Sequence, residues 1–409
     1  MIIRPVLSEY SSYKGNEILP GCDLGILRRF LDANKLKAIE INDQTIETKS
    51  FVGVIRVRNM QIEILPKLLA AESANRATIL SNLLYMLSYT KELDIKLNSP
   101  AILNQVSNPF LEVLIREYAV SLFDCLKKQT PKAYIRHEEN NSFMKGKLKV
   151  SEHIRYNSVN QARFYCEYDE FSEDNILNRL FLYVTQCLSS ITEDSYNKKV
   201  LNLIKNYYCD ITFTRIDKFK ARTIKLFRNQ SIFDKPLKLA KMFIEQSTID
   251  MSKNKFENIA LMWDMNKLFE EFIAQLFKRF MPEYHPHAQK GKRLLKTDVG
   301  KYRNTYVDIL LEKPQPIIID TKYKKFSNIG DFLNADVFQV STYCLLDNAK
   351  TAILLYPQWT KEKLEIPPCK LNTPNGMDEY EIKFKTVNLM QNIKSRIPSI
   401  VTELKDMLN

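Results

Sequence analysis

Nothing in this chain approaches eighteen consecutive apolar residues, so no membrane-spanning helix is expected. The opening residues, MIIRPVLSEYSS, lack both the basic n-region and the apolar h-region of a secretory leader. The seven cysteines (Cys22, Cys125, Cys166, Cys187, Cys209, Cys344 and Cys369) form no C-x-x-C pair and keep no regular spacing. An odd count without a leader reads as reduced thiols in a cytoplasmic protein. The four histidines (His137, His153, His285 and His287) make no metal-spaced cluster beyond His285-Pro-His287, where the proline predicts a loop. No G-x-S-x-G elbow is present, and the Gly-Lys pairs at Gly146 and Gly291 lack the upstream glycine of a phosphate loop. If nucleotide hydrolysis drives the work of this protein, another chain must supply it. Internal repeats and long disordered tracts are missing as well.

What is present is a chain of 409 residues, long enough for two or three domains that each bury a core. Its formal charge is +12, from 60 Lys and Arg against 48 Asp and Glu. That balance suits a protein that binds polyanions. It equally suits an organism whose proteins are rich in Lys and Asn, and charge alone does not separate the two.

Residues 1–70 read as β-rich, with alternation through KAIEI, TIETKSFVGVIRVR and MQIEILPKL and a hairpin turn near Asn59. Helical spacing takes over across 75–130 in ATILSNLLYMLSYT and FLEVLIREYAVSLFDCL. Residues 131–165, polar and basic with Pro131 and Gly146, are predicted to be loops and short strands. A helical middle follows: EDNILNRLFLYVTQCLSSI after Ser172 as N-cap with Glu173 and Asp174 in its first turn, then VLNLIKNYYCDI. Short apolar and basic pieces alternate from 215 to 250, interrupted at Pro236. The last part opens with a predicted long helix, FENIALMWDMNKLFEEFIAQLFKRFM, stopped by Pro282. Strands KRLLKT, RNTYVDILL and PIIIDTKY, a helix ADVFQVSTYCLLD and a strand TAILLYP complete it. The expected fold is a multidomain α+β and α/β chain: a β-rich N-terminal region within 1–165, a helical connector over 166–250, and an α/β domain over 251–409.

The chemistry concentrates in TYVDILLEKPQPIIIDTKYKKF, residues 305–326. Two runs rich in Val, Ile and Tyr flank a turn with Pro314 and Pro316 and predict antiparallel strands. Alternation puts Asp320 and Lys322 on one face, and Asp308 on the facing strand can meet Asp320. The apolar run before Asp320 marks it as emerging from a buried strand. Two acids and a lysine at a strand end can hold magnesium, steady an activated water and hydrolyse a phosphodiester. On the preceding helix Glu270 neighbours Trp263, Ile273 and Phe277 at helical spacing, an apolar flank where a carboxylate needs a partner. Glu271 neighbours Lys267, Gln275 and Lys278, a solvated setting, so Glu270 is the candidate. On the following helix Asp336, Gln339 and Tyr343 stand near the acids, the last two four residues apart on one face. Gln339 and Tyr343 either reach phosphate or base edges, or are a surface glutamine and a core tyrosine. The lead-in HPHAQKGKRLLKTDVGKYR holds six Lys or Arg against one Asp. Its Lys290, Lys292 and Arg293, with Lys324 beyond the acids, are candidates to bind backbone phosphates, unless the lead-in is only a solvated hairpin.

These residues resemble the PD-(D/E)xK nuclease superfamily, with Asp308, Asp320 and Lys322 matching its core and Glu270 its helix acid. Val307 stands where the family's usual proline precedes the first Asp, and Gln339 and Tyr343 resemble the Q-x-x-x-Y element of the RecB-like branch. The whole chain resembles the McrC family, the nuclease subunits of McrBC-type modified-cytosine restriction systems. FVGVIRVRNMQIEILPKL is similar to that family's glycine strand and I-x-I-x-P-K ending. MKGKL at 144–148 is similar to its R-G-[KR]-[LI] landmark, with Lys145 for the more usual Arg, and CEYDEFSEDNILNRLF at 166–181 to its C-x-Y-x-E block. The resemblance implies an endonuclease that cuts double-stranded DNA with Mg2+ or Mn2+, metal held by Asp308, Asp320 and Glu270. It also implies a hexameric AAA+ GTPase partner that binds the GTP, reads the modified cytosine and is stimulated by the N-terminal region of this chain. Arg56, Arg58, Arg136 and Lys145 are the candidate partner contacts, with Lys67 equally readable as structural. Two other readings stand beside this one: a stand-alone RecB-like nuclease, and a non-catalytic adaptor that binds DNA and activates the partner, against which the intact Asp, Asp and Lys argue.

Overall fold

Short alternating stretches build the first sheets. The computed structural model describes residues 2–67, 76–90, 109–159, 162–250, 255–296, 302–326, 334–358, 365–371 and 380–408. Strand β1 (Val6–Ser8) is followed by β2 (Ser12–Lys14), a single helical turn α1 (Gly15–Ile18) and helix α2 (Leu24–Ala33), whose N-terminus is capped by the Asp23 side chain accepting from Gly25 N. Strands β3 (Ile39–Asn42) and β4 (Thr45–Thr48) join β2 in a three-stranded sheet ordered β2-β4-β3. Strands β5 (Phe51–Val57) and β6 (Met60–Leu65) form the expected hairpin, its turn at Arg58 and Asn59, with Arg58 in the left-handed region at φ 50°. β1 runs parallel to β6. Ile55, Ile62 and Ile64 from this hairpin bury against Leu27 and Leu31 of α2, which gives the sheet its core. Helix α3 (Arg76–Leu87) is anchored through Asn82, whose amide donates to Leu389 O and Gln391 O and accepts from Ile393 N.

The chain then runs through α4 (Pro109–Leu126), β7 (Ala133–Asn141), β8 (Lys147–Leu148), α5 (Val150–Asn157) and β9 (Phe164–Ser172). β7, β9 and β8 make a small antiparallel sheet where loops and short strands were expected. Helices α6 (Ile176–Ile191), α7 (Ser195–Tyr207), α8 (Lys218–Thr223) and α9 (Asp234–Glu245) follow, Pro236 lying in the first turn of α9, where a missing N–H costs nothing. The cap of α6 is Asn175 rather than Ser172: β9 extends through Ser172, and the Asn175 carboxamide accepts from Leu177 N and Asn178 N. Short β10 (Ser247–Asp250) pairs antiparallel with the start of β11 (Lys255–Asp264).

Here the sequence misled. FENIALMWD, expected as the first half of a long helix, is β11, and the helix α10 (Met265–Phe280) starts only at the cap Asp264. Consecutive residues Ile259–Trp263 are buried, as in a strand covered on both faces, and such a continuous apolar run is also compatible with a helix. Its second half lies beside β5, where Gly53 has φ +136° and a Cβ would come within 1.9 Å of Leu261 O. The remaining strands are β12 (Pro286–Lys296), β13 (Tyr302–Leu311), β14 (Ile317–Thr321), β15 (Thr351–Pro357), β16 (Cys369–Lys370) and β17 (Glu381–Val387), with helices α11 (Asn334–Asp347) and α12 (Ile393–Asp406). They form a mixed sheet ordered β12-β13-β14-β15-β17-β16, antiparallel at β12-β13-β14 and parallel at β14-β15-β17. β14 is buried along its whole length, as a strand covered on both faces must be. Val340, Tyr343 and Cys344 of α11 pack on Val307, Ile318 and Leu354 of the sheet.

The result is a mixed α and β chain in two compact units, Met1–Phe110 with Ala260–Asn409, and Leu111–Ile259. This division differs from the three consecutive segments read along the sequence: the N-terminal strands group with the C-terminal sheet. A side chain at Gly53 has nowhere to go, since the atom it meets is a backbone carbonyl. Gly53→Ala is expected to destabilise the protein by about 2 kcal/mol or more in urea unfolding, while Gly25→Ala costs less than about 1 kcal/mol.

Candidate active site

The site forms where two strands part. Pairing of β13 with β14 runs from Leu311↔Ile317 to Ile309↔Ile319, and the next position outward sets Asp308 opposite Asp320. There the main-chain ladder stops and a side chain takes over: Asp308 Oδ2 accepts from Thr321 N at 2.9 Å and from Thr321 Oγ1 at 3.0 Å. β14 stays registered on its other side, with Thr321 opposite Leu355 and Lys322 N donating to Leu355 O at 2.9 Å. The residue between the two charged positions is thereby fixed from both strands.

Asp320 is fully buried, and its Oδ2 lies 2.8 Å from Lys322 Nζ, as the strand alternation predicts. Its Oδ1 has no hydrogen-bond partner among the described residues. Lys322 Nζ also donates to Gln339 Oε1 at 3.0 Å and lies 3.9 Å from Asp336 Oδ1. Gln339 in turn donates to the Tyr343 hydroxyl at 2.7 Å, which accepts from Thr305 Oγ1 of β13 at 3.4 Å. Asp336, Gln339 and Tyr343 are three and four residues apart on α11, so one helix face carries the whole chain of contacts. Glu270 reaches the site from α10, where Gln289 of β12 donates to its Oε1.

Burial sets the electrostatics. It pushes Glu270 up to about 7, helped by the Asp308 charge and opposed by the Gln289 hydrogen bond. Burial, then the Asp308 charge, pushes Asp320 up to about 7 against the attraction of Lys322. Asp308 is also raised by burial, with the Thr321 bonds pulling the other way. For Lys322 burial alone lowers the pKa, but the charges of Asp320, Asp308 and Asp336 outweigh it and the ammonium is held above its usual range. Three half-buried or buried acids therefore share one ammonium group, an excess of negative charge that a cation would relieve. No group of three acidic, His or Cys side chains is arranged to hold a metal ion among the described residues. Asp308 is turned to Thr321, Asp320 to Lys322 and Glu270 to Gln289.

Known proteins add to this geometry. The family model for the McrBC 5-methylcytosine restriction system component matches residues 46–357, well over half of the chain. The chain belongs to the McrBC family. Among solved structures it is similar to a chain of the Thermococcus gammatolerans half-complex of McrB AAA+ hexamers with bound McrC, at 19% identity and TM-score 0.76, covering 99% of this chain and 100% of that one. It is also similar to a chain of the T. gammatolerans McrBC complex, at 21% identity and TM-score 0.53, over 68% of this chain and 87% of that one. These likenesses show a shared fold. No curated protein matches the chain.

In this McrBC component the structure brings Asp308, Asp320, Lys322, Glu270, Gln339 and Tyr343 together. Trp263 is not a helical neighbour of Glu270: it lies on β11 and packs edge-on against Phe110, its ring 5.6 Å away. The neighbours Ile273 and Phe277 hold, both buried on α10. Tyr343 is a core residue, 3% exposed, that serves the site only through its hydroxyl. The basic candidates are engaged: Lys290 with Glu312 at 2.6 Å, Lys292 with Asp347 at 2.6 Å, and Lys324 with Asp336. Arg293 is exposed on β12. His287 lies on β12 rather than in a loop, 3.2 Å from Glu312. Arg56 and Arg58 belong to the β5–β6 hairpin of the first unit, and Arg136 and Lys145 to the small sheet region of the second. Arg136 pairs with Glu167, and Lys145 Nζ sits 3.8 Å above the Tyr168 ring.

Three contributors were missed. Thr321 filled a variable position in D-x-K, yet its hydroxyl and amide hold Asp308. Asp336 was visible at helical spacing from Gln339, but not as the partner of both lysines. Gln289 carried no signal at all: it lies on β12 between the pairs Ala288↔Ile309 and Lys290↔Val307 with φ 52°, a conformation that nothing in the sequence marks.

Raised carboxylates bind protons more tightly in the folded than in the unfolded chain, where they titrate near pH 4. Between about pH 4 and about pH 7 the native state holds the extra protons, and its stability from these groups falls as pH rises. Asp320→Asn has no charge to bury, so in urea titrations with chelator present it is expected to gain stability relative to wild type as pH rises through that window. A stability difference that stays flat or moves the other way contradicts this assignment.

Proposed function

We propose that this McrBC component is the McrC-type, DNA-cutting subunit of its complex and hydrolyses phosphodiesters at the Asp308–Asp320–Lys322 site. The observation that carries this reading is the Lys322 ammonium held 2.8 Å from a fully buried Asp320 at the position where Asp308 stands opposite. Asp320 Oδ1, buried without a hydrogen bond, and the raised pKa values of all three acids fit a divalent cation held by Asp308 and Asp320. Glu270 would complete the set on release from Gln289. A bound magnesium or manganese ion would supply Lewis-acid polarisation of the scissile phosphate and a lowered pKa for a bound water.

The protein groups divide the remaining work. Lys322 stays protonated at neutral pH, so it acts as a donor and fixed positive charge toward phosphate oxygens or the attacking water rather than as a base. Gln339 aims it, and Tyr343 with Thr305 aims Gln339. Thr321 fixes the Asp308 carboxylate from its amide and its hydroxyl. Lys290, Lys292, Arg293 and Lys324 are the residues we assign to the backbone of double-stranded DNA.

The fold similarity to a chain of the assembly of McrB AAA+ hexamers with bound McrC supports a hexameric AAA+ GTPase as partner. That partner would bind the GTP, for which this chain has no phosphate loop, and would recognise the modified cytosine. Arg56, Arg58, Arg136 and Lys145 are the proposed contacts with it.

In the reconstituted complex, Asp308→Ala and Lys322→Ala are each expected to reduce DNA cleavage by at least about a hundredfold while stimulation of the partner's GTPase is retained. If both variants still cut DNA at the wild-type rate, the site is elsewhere; if wild type stimulates GTP hydrolysis but never cuts with magnesium or manganese, the chain is an adaptor.

A further inference from the structure

Glu9 lies at the end of β1, more than three hundred residues before the catalytic loop, and is fully buried. Its main chain is fixed by Glu9 N donating to Leu65 O at 3.0 Å, beside the last residue of β6. Its side chain does something different from holding the sheet. Glu9 Oε1 accepts from Lys67 N at 2.8 Å and from the Tyr323 hydroxyl at 2.6 Å. Tyr323 directly follows Lys322, is 2% exposed, and packs its ring 5.9 Å from that of Phe269, the residue before Glu270. A second tie joins the same sheet to the other catalytic element: Met265 N donates to Ser50 O at 2.8 Å, and Ser50 Oγ to Asp264 Oδ1 at 3.1 Å, at the start of α10. The N-terminal sheet therefore grips both the strand end that carries Lys322 and the helix that carries Glu270.

A buried carboxylate is costly, and an apolar residue would fill this space without that cost. A hydrogen bond that a buried phenol donates to a carboxyl oxygen is directional, and it fixes the position of the ring that donates it. We propose that Glu9 is a positioning residue that holds Tyr323, and through it Lys322 and the Phe269–Glu270 turn of α10, in the geometry needed for cleavage. This rests on the nuclease reading of the site. It also assigns Lys67 a structural part through its backbone amide, and gives the N-terminal sheet a direct say in whether the catalytic loop is ordered.

The test uses the full chain in complex with its AAA+ partner, cutting duplex DNA that carries 5-methylcytosine with GTP and magnesium, and hydrogen–deuterium exchange of the full chain by itself. Tyr323→Phe and Glu9→Ala are each expected to lower cleavage turnover by about tenfold with apparent KM for DNA within about twofold, since misplacement of a catalytic group acts on the chemical step. Both should speed exchange in the peptide 317–326. Glu9→Gln keeps an acceptor for both donors and should hold turnover within about threefold of wild type. Wild-type turnover or wild-type exchange in Tyr323→Phe overturns the proposal. So does a Glu9→Gln variant as impaired as Glu9→Ala. Exchange is read without DNA, so it reports on this contact even if the wild-type complex does not cut.

Discussion

The bond from Asp308 to the amide and hydroxyl of Thr321 is the constraint on which the rest of the site depends. A backbone N–H at the end of a ladder must find an acceptor when it is buried. Here a carboxylate from the neighbouring strand supplies it, so one interaction ends the β13–β14 pairing, spreads the two strands and fixes a second acid opposite Asp320. Parallel pairing with β15 keeps Thr321 and Lys322 in line from the other side. Lys322 then has no choice but to stand between Asp320 and the α11 face that carries Asp336 and Gln339. The repulsion among three acids is offset by the one ammonium beside them and by the raised pKa values that burial imposes.

Away from the acids, several family landmarks turn out to be packing devices. Gly53 allows the β5 backbone to pass a carbonyl of β11 that any side chain would strike. Gly146 does the same for β9, with a Cβ 2.4 Å from Glu167 O at φ +71°. In the block around Asn178, Asn175 caps α6, Asn178 donates to Pro131 O and Glu173 O, and Arg179 pairs with Asp174 at 2.7 Å. The two glycines permit close approach, the two asparagines satisfy polar backbone, and Arg179 pairs with the Asp174 side chain.

The β-rich start, the Arg58–Asn59 turn, α10 from Met265 onward and the order of strands and helix from β12 to β15 were all legible, because period-two and period-three-to-four patterns report burial directly. The error at β11 has a simple cause. FENIALMWD carries apolar residues that fit either period, and the choice was made by β5 lying alongside, a partner two hundred residues away. The cap of α6 slipped by three residues for a related reason: Ser172, a good cap in isolation, was already committed to β9. Trp263 is set beside Glu270 in the sequence reading as a consequence of the first error, whereas Ile273 and Phe277 do lie on the same helix as Glu270.

The sequence by itself determined which side chains carry charge at the site and which strand faces they occupy, since alternation along IIIDTK ties Lys322 to Asp320 without any distant contact. It also determined the family, through landmarks spread along most of the chain. Only the tertiary structure decided where those side chains are aimed. Thr321 holding Asp308, Gln289 holding Glu270, Asp336 holding two lysines and Glu9 holding Tyr323 are all contacts between different elements, the last of them more than three hundred residues apart. Their partners are chosen by register and packing, and those are properties of the folded sheet that no local spacing records.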